Sequence, residues 1–228
     1  MAVNPADFDF ISKIVREQSA IVLEKGKEYL VESRLMPLVH QEKLESLENL
    51  VKQIKMKPRG TLKDAVIEAM TTNETSFYRD IHPFETLKKE IFPELIEKRK
   101  TQKELNIWCG ASSSGQEPYS LIMLLKNSFP QLNTWKTNFS ASDLSNQMLT
   151  RCKSGIYSQL EINRGLPAPL MVKYFERIGT EWQVKEELRK MIQFRIINLS
   201  ENWPMMGTLD LIMMRNVLIY FDVEMKKN

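Results

Sequence analysis

Residues 209–222 read Leu209-Asp210-Leu211-Ile212-Met213-Met214-Arg215-Asn216-Val217-Leu218-Ile219-Tyr220-Phe221-Asp222. Asp210 to Met214 is short and almost wholly apolar, as in a parallel strand buried on both faces. The run stops at Arg215-Asn216, a charged and an amide side chain. Ligands of open α/β sheets sit beyond the carboxyl ends of the strands, so polar groups delivered there are candidates for chemistry. The alternative is an arginine that simply solvates the strand end.

Outward from this segment, three further strands are expected: Leu105 to Trp108, Asn138 to Ser142 ending at Asp143, and Gln193 to Ile197. Helical stretches lie between them at Glu117 to Lys126 and Ser145 to Ser154, and another precedes them at Phe84 to Lys98. Strands alternating with helices predict an α/β fold with a parallel, doubly wound sheet. Ile156 to Lys190 fits this alternation less well and reads as a small inserted β-subdomain, with a strand at Trp182 to Val184.

Residues 1–72 carry helical stripes throughout: Phe8, Ile11, Ile14 and Val15, then Tyr29, Leu30, Leu35, Leu38 and Val39. Leu44 to Ile54 continues the pattern, Pro58-Arg59-Gly60 breaks it, and Leu62 to Met70 resumes it. We therefore expect an all-helical domain over 1–72 and a second domain over 73–228, with the insertion at about 156–190. Lys27 and Arg34, seven residues apart, would share a helix face, either as a solvated surface or as a substrate-docking patch.

Composition narrows the chemistry. The 228 residues are 43% hydrophobic and 27% charged, with no run near the ~20 apolar residues of a membrane span. The start of the chain lacks the basic region and apolar core of a signal peptide, so a cytoplasmic protein is expected. Two cysteines, Cys109 and Cys152, and two histidines, His40 and His82, disfavour a disulfide framework, a metal site and a Ser/His/Asp hydrolase. A net charge of +3, dispersed along the chain, does not suggest nucleic acid as a partner.

Four polar clusters fall at the ends of the expected strands. Cys109 to Gly115 is a loop of small residues that lets a ligand approach the backbone, followed by Glu117 at a helix start. It is neither a Walker loop nor a full G-x-G-x-x-G, and the acid would repel a phosphate but suit an ammonium group. Asp143 either accepts hydrogen bonds from ribose hydroxyls or caps the following helix. Asn198-Leu199 either meets a nucleobase or forms an ordinary turn, and Arg215-Asn216 is joined by Tyr220 one helical turn on. An acid for an ammonium, a small loop, an acid for ribose and an amide for a base together describe a site for S-adenosylmethionine.

The chain resembles the CheR-type chemotaxis-receptor glutamate O-methyltransferases, class I enzymes that use S-adenosylmethionine and release S-adenosylhomocysteine. The carrying segments are Asn73-Glu74-Thr75-Ser76-Phe77-Tyr78-Arg79-Asp80, Trp108 to Ser120, Ala141-Ser142-Asp143, Asn198-Leu199 and Arg215 to Phe221. They come in the family's order. The resemblance implies that Asn73, Thr75 and Arg79 reach over the cofactor and that Ala111 belongs to its loop. It also places Glu117 on the methionine amino group, Asp143 on the ribose, Asn198 and Leu199 at the adenine, and Arg215, Asn216 and Tyr220 along the cleft. Arg79, Arg215 and Tyr220 are then the candidates for holding the substrate carboxylate.

The implied substrate is a glutamate on the cytoplasmic bundle of a receptor. A glutamate side chain in water titrates near ~4.3 and is already ionised at neutral pH, so neither a general base nor a metal is required. Two departures qualify the match. The chain ends at Lys227-Asn228, inside the helix expected after the fourth strand, whereas the resemblance implies three more strands. A sheet truncated there leaves a non-catalytic module, binding S-adenosylmethionine or a receptor, as the alternative to an enzyme. The segment Glu176 to Glu181 is also short for a hairpin that docks a receptor's C-terminal tether, which favours direct recognition of the receptor bundle.

Overall fold

A computed structural model describes residues 3–58 and 60–221, which form two compact units. One unit takes the chain up to Thr72, Asn198–Asn202 and the described residues from Asn216 on; the other holds Asn73–Ile197 and Trp203–Arg215.

The first unit is built on four helices: α1 (Pro5–Ser19), α2 (Glu28–Gln41), α3 (Leu47–Met56) and α4 (Thr61–Met70). Local sequence sets their starts. The Asn4 side chain accepts from the Asp7 N–H at 2.8 Å with Pro5 at the first helical position, and Ser46 accepts from the Asn49 N–H. Ile11, Val15, Val31, Leu35, Leu50, Ile54 and Val66 form the buried core. The α2 stripe is rotated from the expected one, since Val31 is buried whereas Tyr29 is 69% exposed. The returning chain joins this unit where Ile21 bridges Phe221 in antiparallel fashion.

The second unit carries the expected doubly wound sheet, built from β1 (Glu104–Cys109), β2 (Lys136–Asp143), β6 (Ile192–Ile196) and β7 (Leu211–Met213). All pairings are parallel, in the order β6-β2-β1-β7. The chain adds strands on one side of β1 and then crosses to the other for β7, so the winding reverses between β1 and β7. That reversal opens a crevice at the carboxyl ends of the strands. The helices α7 (Gln116–Ser128) and α8 (Asn146–Ser154) follow β1 and β2. Pro118 to Leu125 of α7 is wholly buried, which explains its nearly unbroken apolar sequence.

The helix expected over Phe84 to Lys98 is longer and interrupted. It runs as α5 (His82–Thr86), a π-helical turn at Leu87–Ile91, and α6 (Phe92–Arg99). Pro93 has no N–H and its ring crowds the preceding turn, so the wider turn accommodates it.

The insertion is a separate three-stranded antiparallel sheet of order β3-β5-β4, from β3 (Ile156–Tyr157), β4 (Phe175–Ile178) and β5 (Glu181–Val184). The short helices α9 (Gln159–Asn163), α10 (Ala168–Tyr174) and α11 (Glu186–Arg189) accompany it. The β4–β5 hairpin closes through Gly179, at φ +59°, and Thr180.

β7 is shorter than its apolar run and forms one edge of the sheet among the described residues. Asp210 precedes it and anchors it: one carboxylate oxygen accepts from the Asn106 N–H at 2.8 Å, the other from Arg99 Nε at 2.6 Å. The helix expected to lead to Lys227-Asn228 lies outside the described residues. No helix among the described residues is long and apolar enough to cross a membrane.

The Asp210 side chain is 2% exposed and the Arg99 side chain 27%, so removing the carboxylate strands a partly buried charge and a backbone donor. Asp210→Ala is expected to lower the unfolding free energy by about 2–4 kcal/mol, read from urea denaturation followed by circular dichroism.

Candidate active site

The loop Gly110–Gly115 leaves β1 at the carboxyl edge of the sheet and enters α7. Three of its residues hold positive φ: Ala111 (52°), Ser113 (48°) and Gly115 (97°). For a residue with a Cβ this left-handed conformation costs about 1–2 kcal/mol, so the surroundings must enforce it. They do so through the backbone. The Ser112 N–H donates to the Ser142 carbonyl at 2.8 Å, the Ser113 N–H to Asp143 Oδ2 at 2.7 Å, and the Gly115 N–H to the Ser112 carbonyl at 2.9 Å.

Asp143 ends β2 and is 7% exposed. Its other oxygen, Oδ1, accepts from the Ser145 N–H at 2.9 Å. It is not the helix cap that its position allowed: Ser145 caps α8, its hydroxyl accepting from the Met148 N–H at 3.0 Å. Asp143 instead ties the loop after β1 to the turn after β2.

Glu117 lies in the first turn of α7. Its Oε2 receives Arg215 Nη1 at 2.8 Å, and both side chains are largely buried. Burial pushes the Glu117 carboxyl above its ordinary 4.5, outweighing the opposing pull of Arg215. Arg215 also donates through Nη2 to the Arg79 carbonyl (2.9 Å) and to Asp80 (3.0 Å), and it sits over the Phe84 ring.

The segment Asn73–Asp80 is pinned beside this pair. Ser113 Oγ donates to the Asn73 carbonyl at 2.8 Å, and the Tyr78 N–H donates to Ser120 Oγ at 3.0 Å. Arg79 Nη1 donates to the Glu74 carbonyl, and Thr75 is half-buried. The second unit therefore gathers Asn73, Thr75, Arg79, Ala111, Glu117, Asp143 and Arg215 around the carboxyl ends of β1, β2 and β7.

The remaining sequence candidates belong to the first unit. The Asn198 amide donates to the Gln18 carbonyl (2.6 Å) and to Glu201 (3.0 Å) and accepts from both the N–H and the hydroxyl of Ser200. That geometry is the turn alternative. Leu199 is half-buried. Asn216 is exposed at φ 54°, a conformation asparagine tolerates better than most residues. Tyr220 closes a 3₁₀ turn (Leu218–Tyr220), where an α-helical turn was expected, and its carbonyl accepts the Val22 N–H.

Lys27 and Arg34, the expected docking patch, both have partners within the first unit. Lys27 precedes α2 without a side-chain capping bond and pairs with Glu24 at 2.9 Å. Arg34 donates to the carbonyls of Met70 (2.6 Å) and Thr71 (3.2 Å) and to the Thr72 hydroxyl (2.9 Å). It closes the carboxyl end of α4, where helical carbonyls lack partners, and is not a free surface cation.

Comparison with known proteins places this geometry in a family. Residues 73–228 match the family described as CheR methyltransferase, SAM binding domain, and residues 6–71 match the CheR methyltransferase, all-alpha domain. The chain belongs to the CheR methyltransferase family. Chemotaxis protein methyltransferase 1 of Pseudomonas aeruginosa is 42% identical over 233 residues, covering 100% of this chain and 84% of the relative. Chemotaxis protein methyltransferase Cher2 of Pseudomonas putida is 40% identical with the same coverage. The chemotaxis protein methyltransferase of Borreliella burgdorferi is 35% identical, covering 95% of this chain and 78% of the relative.

This CheR chain is thus a methyltransferase whose cofactor is S-adenosylmethionine. The residues present fit that cofactor: a largely buried acid with one oxygen outside its ion pair, a second buried acid at the next strand end, and a loop of small residues beside them. Sequence reasoning had no signal for Asp80 as the second anion on Arg215, or for the role of the Ser113 N–H.

The raised carboxyl of Glu117 has a consequence for binding. An ammonium ligand needs the ionised form, and that form is lost as pH falls through a value above 4.5. S-adenosylhomocysteine affinity is therefore expected to drop on acidification from pH 7, approaching tenfold per pH unit once below that pKa. Glu117→Gln is expected to bind about 10–100-fold more weakly at pH 7 and to lose this pH dependence; calorimetric titration at several pH values checks both. For folding the sign is opposite. A raised native pKa makes ionised Glu117 a cost at neutral pH, relieved on acidification.

Proposed function

We propose that this methyltransferase esterifies glutamate side chains on the cytoplasmic helical bundle of chemotaxis receptors, acting in the cytoplasm. The observation that carries the reading is the Arg215 guanidinium. It is held between Glu117, Asp80 and the Arg79 carbonyl at the mouth of the β1–β7 reversal. The names of the relatives, chemotaxis protein methyltransferases, support the substrate class.

When bound, S-adenosylmethionine supplies a methyl group already activated on a sulfonium. Glu117 then holds the ammonium, Asp143 the ribose hydroxyls, and Asn73, Thr75, Ala111 and Arg79 line the same cleft. A substrate carboxylate is ionised at neutral pH, so no side chain has to remove a proton.

What the protein supplies is alignment, which contributes up to ~7–11 kcal/mol in well-oriented systems. Arg215 suits that task because its charge is already balanced by two carboxylates. Its attraction for an incoming carboxylate is therefore modest, and it orients the reacting oxygen without over-stabilising the charged ground state. The two-residue β4–β5 turn offers no extended loop for a tether, in keeping with direct recognition of the receptor bundle.

The test is transfer of labelled methyl from the cofactor to receptor-bearing membranes. Label that is released as methanol by mild base, and that is lost when the acceptor glutamates are replaced by alanine, supports the reading. Base-stable label would overturn ester formation, and cofactor binding without incorporation would favour a non-catalytic module. Arg215→Lys keeps a cation beside Glu117 but loses the planar fork. Turnover is expected to fall about 10–100-fold while S-adenosylhomocysteine affinity changes less than about threefold. Equal losses of both would make Arg215 a cofactor residue.

A further inference from the structure

Two buried side chains outside the cleft converge on the strained loop. Tyr157, from β3 of the inserted sheet, donates its hydroxyl to the Ser114 carbonyl at 2.7 Å. Cys152, from α8, directs its thiol to the Ser113 carbonyl at 2.9 Å. Both are fully buried. The loop is shaped to admit them: a Cβ on Gly115 would lie 2.9 Å from Cys152 Sγ and 3.0 Å from the Tyr157 hydroxyl.

We propose that Tyr157 and Cys152 are positioning residues for the cofactor loop. On this inference the inserted sheet is a brace for the cofactor site, independent of any docking role. It rests on the reading of Gly110–Gly115 and Glu117 as the cofactor site.

The physical reason lies in the orientation of the peptide groups. With Ser113 and Gly115 both left-handed, the carbonyls of Ser113 and Ser114 point to buried donors in the protein interior, away from water. Without donors these buried carbonyls are unsatisfied, and rotation of their peptide groups toward other partners becomes favourable. Rotation of the Ser114–Gly115 peptide breaks the Gly115 N–H bond to the Ser112 carbonyl, and rotation of the Ser113–Ser114 peptide changes the backbone of Ser113, whose N–H meets Asp143, the acid proposed for the ribose.

Both donors are themselves held. Phe77 packs edge-on against the Tyr157 ring at 5.0 Å, and the Tyr119 hydroxyl donates to the Cys152 carbonyl at 2.6 Å. Burial pushes the Cys152 thiol up to about 12, so it stays a protonated donor across the working pH range. A thiol donates weakly, which makes Tyr157 the stronger of the two braces.

Tyr157→Phe removes one hydroxyl and no carbon. S-adenosylhomocysteine binding is expected to weaken about tenfold, with the cofactor KM rising to match and kcat at saturating cofactor within about twofold. Cys152→Ala is expected to weaken binding about threefold, and Cys152→Ser, which restores a donor, to recover most of it. Hydrogen exchange adds a readout that a general loss of stability would not produce: the Ser113 and Gly115 amides should lose protection while those of β1 keep it.

Full affinity in folded Tyr157→Phe overturns the proposal, as does loss of protection spread evenly over β1 and the loop. Glu117→Gln serves as the control. If it weakens binding while Tyr157→Phe does not, the site stands and the brace fails; if neither changes binding, the site reading itself fails. Should Cys152→Ala not fold, Tyr157→Phe decides alone.

Discussion

The Asp143 carboxylate is the contact on which the site depends. One oxygen receives the Ser113 N–H and the other the Ser145 N–H, so a single buried group joins the ends of two adjacent strands. A buried carboxylate is tolerated only when its oxygens find donors, and one donor here is the backbone amide of Ser113, held at φ 48°. The unfavourable φ of Ser113 and the burial of Asp143 are thus mutually dependent. Each is stable because the other is present.

Around this contact the parallel sheet does the placing. Because the winding reverses between β1 and β7, the loop after β1 and the residues after β7 open onto one crevice. Glu117 and Arg215 meet there although 98 residues separate them. The Asp210–Arg99 pair at the opposite end of β7 sets the register that brings Arg215 into reach.

Charge is shared across the proposed cleft rather than concentrated. Arg215 answers to Glu117 and Asp80, and Glu117 keeps an oxygen outside that pair. A site for two ligands, one bearing an ammonium and one a carboxylate, has to bind opposite charges a short distance apart. Alternating partly neutralised acids and bases meets that demand without leaving any ion buried alone.

Much of this was legible in the sequence, because it depends on local pattern. Apolar runs of strand length, alternating with helical periodicity, determined the doubly wound fold, and the polar residues at the ends of those runs marked Glu117, Asp143 and Arg215. Tertiary structure decided what periodicity cannot encode. Asp143 is a tie and not a cap because Ser145 took the capping position. Arg34 closes α4 and Asn198 closes a turn because partners distant in sequence, Met70 and Gln18, present carbonyls to them. Tyr157 reaches the cofactor loop only because the insertion folds back across it. Hydrogen bonds satisfied by residues tens of positions away leave no periodic trace in the chain, so the sequence by itself determined which residues end the strands, and only the fold decided which atoms those residues would hold.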